Sequence, residues 1–570
     1  MPYRFAFLCV MLACSFLPVF SQSAVAPANN PSTANPAQNQ PPTFHATSRL
    51  VLVDVVVTGK KGEFVRNLKP ADFTVLEDGR PQSITAFAAH MASASPQPPP
   101  KMQLPEHQYT NYNAPPPDHP ITIILLDMLN TLITERPYAR EQMLKFLRAM
   151  PPGQPIALFT LSGTLRMVQG FTQSSDALTA AAKSVLDKNE NAHLHTTEAD
   201  LEDAEATDAD LAAMAGRLPA SAVALSEGLI AEQQYQLDVR VRSTLGCLKA
   251  LAQSVAGYPG RKNLIWLAGD FPVALGPEVD SDPRLSSRLL YQSEVHETSG
   301  LLASSQIAVY PIDVRGLEII GAGLGSRRAQ TAVQRSRVLD AQWNTQFTMK
   351  EIAKETGGEA FYNQNDLSRL MQRSLDEGTN YYTVAYVPEN HDWNGRYRKI
   401  EVKLAMSDLK VRHRSGYFAF AEKSSDRNSA VRLLAAAMQP TVPESTRLLM
   451  KVQVLPPDTN RKTVSIDFAV SPADLAFTDG PDQHKLTTVD FMAVALDRNL
   501  REAAEISNTV DANLRPQTYD GVLKTGFPGH LELDLKPGKY VLRLGAIDRN
   551  NEKIGTVDVP MNVPAETAQK

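Results

Sequence analysis

Cysteine is almost missing from this chain, with three residues in 570, at positions 9, 14 and 247. So few exclude a disulfide-rich scaffold and any four-cysteine zinc centre. Neither sign of charge dominates: 57 basic residues face 62 acidic ones and the net charge is −5, so nothing electrostatic points to nucleic acid. Long apolar runs are missing beyond the first 26 residues, which excludes a multi-span membrane protein. The short motifs of common enzyme classes are absent as well. There is no Gly-x-Ser-x-Gly elbow, no His-Glu-x-x-His helix and no Gly-Lys-Ser/Thr phosphate loop. What is there is 43% hydrophobic and 21% charged, the balance of packed soluble domains, and at roughly 100–200 residues per domain the length suits three or four of them.

Residues 1–23 read as an export signal: Arg4, an apolar stretch over 5–20 broken by Pro18, then the small residues Ser21 and Ser23. That stretch falls short of the about 20 apolar residues of a membrane span. With the leader removed, Cys247 is the sole thiol and no intrachain disulfide forms. Residues 24–48, rich in Pro, Ala, Asn and Gln, read as a disordered tether. Residues 49–90 read as a small β-module of strand, turn and strand, with Asp78-Gly79 as a turn. So short a module closes no core alone and is expected to dock on a neighbour. A Pro-rich linker, 91–118, follows.

Beyond it, strands and helices alternate. The run 121–126, ending at Asp127, has the pattern of a strand buried on both faces. Further strands are expected at 156–161, 264–268, 307–312 and 381–387, with helices at 137–150, 176–186, 243–255, within 284–305, at 348–356 and at 366–375. This alternation predicts a mainly parallel, doubly wound sheet whose ligands bind at the carboxyl ends of the strands. Asp127, Asp270 and Asp313 all stand at or just past such ends. After a linker at 421–446, period-two alternation returns over 447–565 and predicts a β-sandwich, clearest around Leu531, Leu533 and Leu535. The fold class expected is therefore multidomain: a central α/β doubly wound domain, 119–420, between a small N-terminal β-module and a C-terminal β-sandwich.

The stretches ITIILLDMLNT, NLIWLAGDFP, IAVYPIDVRGL, IAKETGGEAFYNQNDL, NYYTVAYVP and VRHRSGYFA occur in that order. Together with VDVVVTGKKGEFVRNLKPADFTVLEDG near the start, they resemble the von Willebrand factor A-related family known chiefly from Acidobacteria, over roughly residues 49–420. The resemblance implies an exported protein with a Rossmann-like A-domain and no known activity. It also implies a place for Mg²⁺, which A-domains hold with an Asp-x-Ser-x-Ser loop, a Thr and a second Asp, a partner's carboxylate completing the shell. Here the loop reads Asp127-Met128-Leu129-Asn130-Thr131, and Leu129 stands where the first Ser belongs. Asn130 offers an oxygen instead, Asp270 is displaced by one position, and Thr196 and Thr197 are the candidates for the Thr. Two readings stay open: a degenerate metal site of Asp127, Asn130, Thr131, Thr196, Thr197 and Asp270, or an Asp127 that merely caps the following turn.

The segment 189–210 holds eight acidic residues with His193 and His195 and no Lys or Arg, which reads as a solvated acidic insertion, a His-x-His metal pair being the sharper alternative. Cys247 reads as a buried structural thiol, and Arg396, Arg398, Lys399 and Lys403 as a solvated strand face. The functional expectation is an exported, non-enzymatic protein–protein or cell-envelope adhesion module, partner-binding through Asp127, Asp270 and Asp313, with Mg²⁺ its only candidate cofactor. Two alternatives are a metal-free structural or assembly component of the envelope and, less favoured, a carboxylate-based hydrolase. Its localisation is expected to be periplasm, cell surface or medium.

Overall fold

The computed structural model describes residues 50–91, 104–112, 120–151, 153–185, 220–271, 286–317, 345–406, 408–420, 426–440, 442–457 and 462–564. All of these fall in one compact unit, Arg49–Lys570. The leader and tether expected at 1–48 lie outside the described residues, as does the acidic insertion at 189–210.

The first segment supplies β1 (Val51–Thr58), β2 (Phe73–Glu77), β3 (Arg80–Gln82) and β4 (Ile84–His90). Four short strands bury too little to stand alone. The next strand, β5 (Gln108–Thr110), lies within the Pro-rich stretch and pairs not with these but with a strand some 340 residues further on.

The central sheet then forms from β6 (Ile121–Asp127), β7 (Ile156–Leu161), β8 (Leu165–Thr172), β9 (Lys262–Ala268) and β10 (Ile307–Asp313), in the order β10-β9-β6-β7-β8. All pairs are parallel except the β7–β8 hairpin at the edge. Every residue of β6, β7, β9 and β10 is buried, because helices cover both faces. One face packs on α1 (Arg136–Ala149), α2 (Ser175–Val185) and a later helix, through Met143, Phe146, Leu147, Leu178 and Ala182. The other face packs on α3 (Ala220–Val255), α4 (Ser286–Ser304) and α5 (345–356), through Leu248, Leu251, Val255, Leu302 and Met349. Cys247 is buried in this second layer, and burial pushes its thiol up to about 12. The later helix of the first face is α6 (Leu367–Thr379), started by Asp366, whose carboxylate accepts from Arg369 N at 3.2 Å. Its Gly378 lies so close to β9 that a Cβ would sit 1.8 Å from Asn263 Nδ2.

Residues 381–387 do not extend this sheet, which corrects the strand expected there. They form β11 (Tyr381–Tyr386), antiparallel to both β1 and β4, and are followed by β12 (Asn394–Leu404), β13 (Lys410–Arg412) and β14 (Gly416–Phe420). The sheets β13-β1-β11-β4 and β14-β12-β2-β3 close one sandwich around Val53, Val55, Phe73, Val75, Tyr382 and Val384. The segment 50–91 thus finds its missing core in residues 381–420, and the α/β domain is inserted between the two halves. Arg398 is not on a solvated face. It is a buried partner of Glu77 at 3.3 Å, whose other oxygen accepts from Tyr386 and Tyr417 hydroxyls at 2.7 and 2.9 Å.

After α7 (Arg427–Ala437), the strands β15 (Met450–Leu455), β16 (Val464–Val470), β17 (Thr478–Asp479), β18 (Lys485–Leu496) and β19 (Glu502–Leu514) follow. Then come α8 (Pro516–Thr525), β20 (Phe527–Leu533), β21 (Gly538–Asp548) and β22 (Ile554–Val563). They make a second sandwich of β20-β16-β15-β5 against β17-β18-β21-β22, with β19 beside β18. Its core runs from Val452, Ile466 and Phe468 to Phe491, Leu531 and Leu544. Asn111, just past β5, is buried and fastens the linker here: Nδ2 donates to Ser445 O and Leu448 O at 2.8 and 2.9 Å, and Oδ1 accepts from Met450 N at 3.0 Å.

Candidate functional site

Sheet order reverses between β6, which starts the sheet, and its neighbour β9, so their carboxyl ends diverge and leave a crevice where doubly wound folds hold ligands. Asp127 ends β6 and is fully buried there. Its Oδ1 accepts from Asn130 N at 2.8 Å, and its Oδ2 from Asn130 Nδ2 at 2.7 Å and Trp266 Nε1 at 3.0 Å. Asn130 Nδ2 also donates to Thr244 Oγ1 at 2.9 Å. Burial pushes the Asp127 carboxyl up to about 6, against the opposing pull of Asn130, Trp266 and the nearby Arg240 charge.

Arg240, on α3, closes the crevice from the side. Its Nε and Nη2 donate to Asn130 Oδ1 at 3.2 and 3.1 Å, and Nη2 also reaches Asp270 Oδ2 at 3.0 Å. Asp270 Oδ1 accepts from Phe271 N at 2.8 Å and from Thr345 Oγ1 at 3.2 Å. Thr131 accepts from Gly269 N at 3.1 Å through its hydroxyl, and Asp270 N donates to Asn130 O at 2.8 Å, so the loops after β6 and β9 are tied directly. A second guanidinium, Arg136, donates to Met128 O at 2.6 Å and to Thr131 O at 3.1 Å. Glu135 lies over Gly269, and burial pushes its carboxyl up to about 7 against the attraction of Arg315.

The candidate residues Asp127, Asn130, Thr131 and Asp270 are therefore brought together, whereas Thr196 and Thr197 lie outside the described residues. Their oxygens do not fit a divalent cation. Mg²⁺ demands six oxygen ligands at about 2.0–2.1 Å in an octahedron. Both oxygens of Asp127, the amide oxygen of Asn130 and both oxygens of Asp270 already accept N–H or O–H bonds, and Leu129 points into the core. A fixed guanidinium also repels a cation: two like unit charges 4 Å apart cost roughly 4 kcal/mol at an effective dielectric of 20. Among the described residues, no group of three or more His, Cys, Asp or Glu is placed to hold a metal ion.

The three partner-binding candidates differ in exposure. Asp127 is fully buried and shapes the crevice. Asp313 is buried and clamped by Arg315, whose Nε and Nη2 reach its two oxygens at 3.0 and 2.8 Å. Asp270, partly exposed, is the carboxylate at the crevice mouth.

The same carboxyl edge carries the overhang of α3 and three exposed apolar side chains. Helix α3 has 36 residues, about 54 Å at 1.5 Å each, against about 23 Å for a seven-residue strand. Since Arg240 is level with the strand ends, residues 220–239 continue past the edge, and α4 packs on them through Leu237, Val241, Tyr291 and Val295. Tyr235, Ile133 and Leu317 are large apolar side chains left exposed on this edge.

Arg240, Thr244 and Trp266 were not among the sequence candidates. A signal existed: Arg240, Thr244, Cys247, Leu248 and Leu251 recur at three- and four-residue spacing, which sets an arginine on the buried stripe of a helix.

No protein-family model matches this sequence, and the search of curated proteins finds no match. Among solved structures, the chain is similar to an aerotolerance-related membrane protein from Bacteroides fragilis NCTC 9343. That likeness has 11% identity and a TM-score of 0.24, over 45% of this chain and 99% of that one. It is also similar to a pilus adhesin from Lactobacillus rhamnosus GG, at 8% identity and a TM-score of 0.25 over 88% of this chain and 59% of that one. A third likeness is to a von Willebrand factor type A protein from Catenulispora acidiphila, at 10% identity and a TM-score of 0.15 over 56% of this chain and 73% of that one. The doubly wound architecture rests on the strand order and on the helices covering both faces, not on these scores.

Proposed function

We propose that this chain is an exported, non-catalytic interaction protein of the cell envelope, adhesion-type, that offers the carboxyl edge of its A-domain-like fold to a protein or envelope ligand. One observation carries the reading. The continuation of α3 and the exposed Tyr235, Ile133 and Leu317 collect on the edge where such folds bind, while the opposite edge is fastened to the sandwiches. The metal site is read as degenerate, with Asp127, Asn130 and Asp270 serving as hydrogen-bond acceptors rather than as ligands of Mg²⁺. The contacts of Arg240 favour a metal-independent assembly component over metal-dependent adhesion. A carboxylate hydrolase is disfavoured, since Asp127, Asp270 and Asp313 each have both oxygens engaged.

Site-specific photo-crosslinking tests this in the exported full chain. A crosslinker at Tyr235 or Leu317 should trap one discrete partner, in EDTA as in Mg²⁺, while one at the exposed Val431 or Leu523 should not. Equal labelling from all four positions, or no product from the first two, removes the carboxyl edge as the binding face. Crosslinking that requires Mg²⁺ restores metal-dependent adhesion.

A further inference from the structure

The crevice has the residue types of a cation site, yet its acceptors converge on a side chain. Arg240 is 1% exposed and its Nε and Nη2 are shared between Asn130 Oδ1 and Asp270 Oδ2. Asn130 in turn holds Asp127 through two bonds, so one guanidinium joins the loop after β6, the loop after β9 and helix α3. We propose that Arg240 is a resident cation that takes the place of a bound divalent ion in this crevice and fixes the two loops without metal.

The chemistry suits that role. A guanidinium is planar, weakly hydrated and always protonated, and its fork spans two acceptors at once, which a lysine ammonium on a flexible stem does not. It sits among two carboxylates, Asp127 and Asp270, and so offsets the charge that a metal would offset in an open site. The anchoring is specific rather than incidental. Nη1 of the same group is buried without a hydrogen-bond partner among the described residues, so the side chain gives up one donor to keep the other two placed. The inference does not need the interaction reading of the edge, because it concerns the folded chain alone.

The test is a metal titration on the full chain, using MnCl₂ and MgCl₂ against EDTA. It is read by melting temperature and by the loss of the free Mn²⁺ paramagnetic signal. Wild type should bind no Mn²⁺ at the crevice at millimolar concentration and melt at the same temperature in EDTA and in Mg²⁺. Arg240→Ala should melt lower, and millimolar Mn²⁺ or Mg²⁺ should restore part of the loss, since removing the guanidinium frees Asn130 Oδ1 and Asp270 Oδ2. Arg240→Lys keeps the charge without the fork and should melt between the two with no response to metal. If Arg240→Ala fails to fold, Arg240→Gln, which keeps one donor, carries the same metal comparison. The proposal is overturned if wild type binds Mn²⁺ and Asp127→Ala abolishes that binding. It is equally overturned if the neutral variants melt like wild type or gain no metal response. Equal labelling from all four crosslinker positions, or no product, leaves these results standing, whereas Mn²⁺ binding by wild type removes the metal-independent part of the proposed function and leaves the carboxyl edge as its binding face.

Discussion

Asp127 keeps its place because both of its oxygens accept from Asn130 in its own loop and Oδ2 accepts from the indole of β9 as well. Asp127→Asn retains the shape but turns one acceptor into a donor facing either Asn130 N or both Asn130 Nδ2 and Trp266 Nε1. It is expected to cost about 2–3 kcal/mol, and Asp127→Ala, which orphans all three donors, about 3–4 kcal/mol. Urea titration checks this as a lower midpoint at unchanged slope. At the other end of β9, Lys262 is buried with Nζ donating to Ser305 O at 2.9 Å, and burial lowers its ammonium to about 8 from an ordinary value of 10.5. Below pH 8 both folded and unfolded chains hold this proton and the burial cost is carried in full. Between pH 8 and 10.5 the unfolded chain keeps a proton that the folded chain has released, so stability rises with pH by up to about 3 kcal/mol. Lys262→Met removes that rise, and the difference between the two stability profiles over pH 7–11 measures it. A flat difference would mean that Lys262 titrates normally in the fold.

At the scale of elements, spacing decides what a single residue does. Gly246 and Gly378 both lie inside helices, where alanine normally gains roughly 0.5–1 kcal/mol over glycine. A Cβ at Gly246 meets nothing within 4 Å, so Gly246→Ala is expected to stabilise by about that amount. At Gly378 the Cβ would strike the buried Asn263, so Gly378→Ala is expected to destabilise by about 1–3 kcal/mol, the opposite sign. Paired thermal melts read both. The strands β6, β7, β9 and β10 were legible in the sequence to within two residues because burial on both faces leaves a continuous apolar run that ends at a polar residue. The hairpin partner β8 was not legible: its residues Arg166 and Met167 are exposed, and an edge strand packed on one side carries neither a solid run nor clean alternation. Helix α3 was foreseen only from 243, where it packs on the sheet through Leu248, Leu251 and Val255. The crevice was half legible. Asp127, Asn130, Thr131 and Asp270 follow strand ends and can be placed by counting, whereas the spacing of Arg240 sets it on the buried stripe of a helix without saying which loops it meets.

The whole molecule is interleaved in a way that no local pattern announces. The chain enters the first sandwich at 50–91, lends β5 to the second, builds the α/β domain, returns to the first at 381–420 and finishes in the second. Pairings such as Val53 with Val384 or Val452 with Tyr109 span hundreds of residues, and single-strand periodicity is silent on them. The α/β domain is also capped by the second sandwich at the end of α3. Thr446 N donates to Gln253 O at 3.1 Å, and its hydroxyl donates to Ser254 O at 2.8 Å while accepting from Gly257 N at 3.0 Å. Those carbonyls are among the ones a helix leaves unsatisfied at its end, so α3 is finished by a residue of another domain. Such ties predict that unfolding is shared rather than domain by domain. Asn111→Ala removes three buried bonds at the linker's entry to the second sandwich and should cost about 2–4 kcal/mol. Thr446→Val, beside the Ser445 that Asn111 holds but facing the end of α3, should cost about 1–3 kcal/mol, and Thr446→Ser much less, because serine keeps the hydroxyl. Calorimetry of the full chain then separates two architectures. If the three domains are locked together, both variants lower one common transition, with an enthalpy fitting the whole described unit. If they are merely strung together, Asn111→Ala moves only the sandwich transition and leaves an α/β transition where it was, and the interleaving would then be topological without being cooperative.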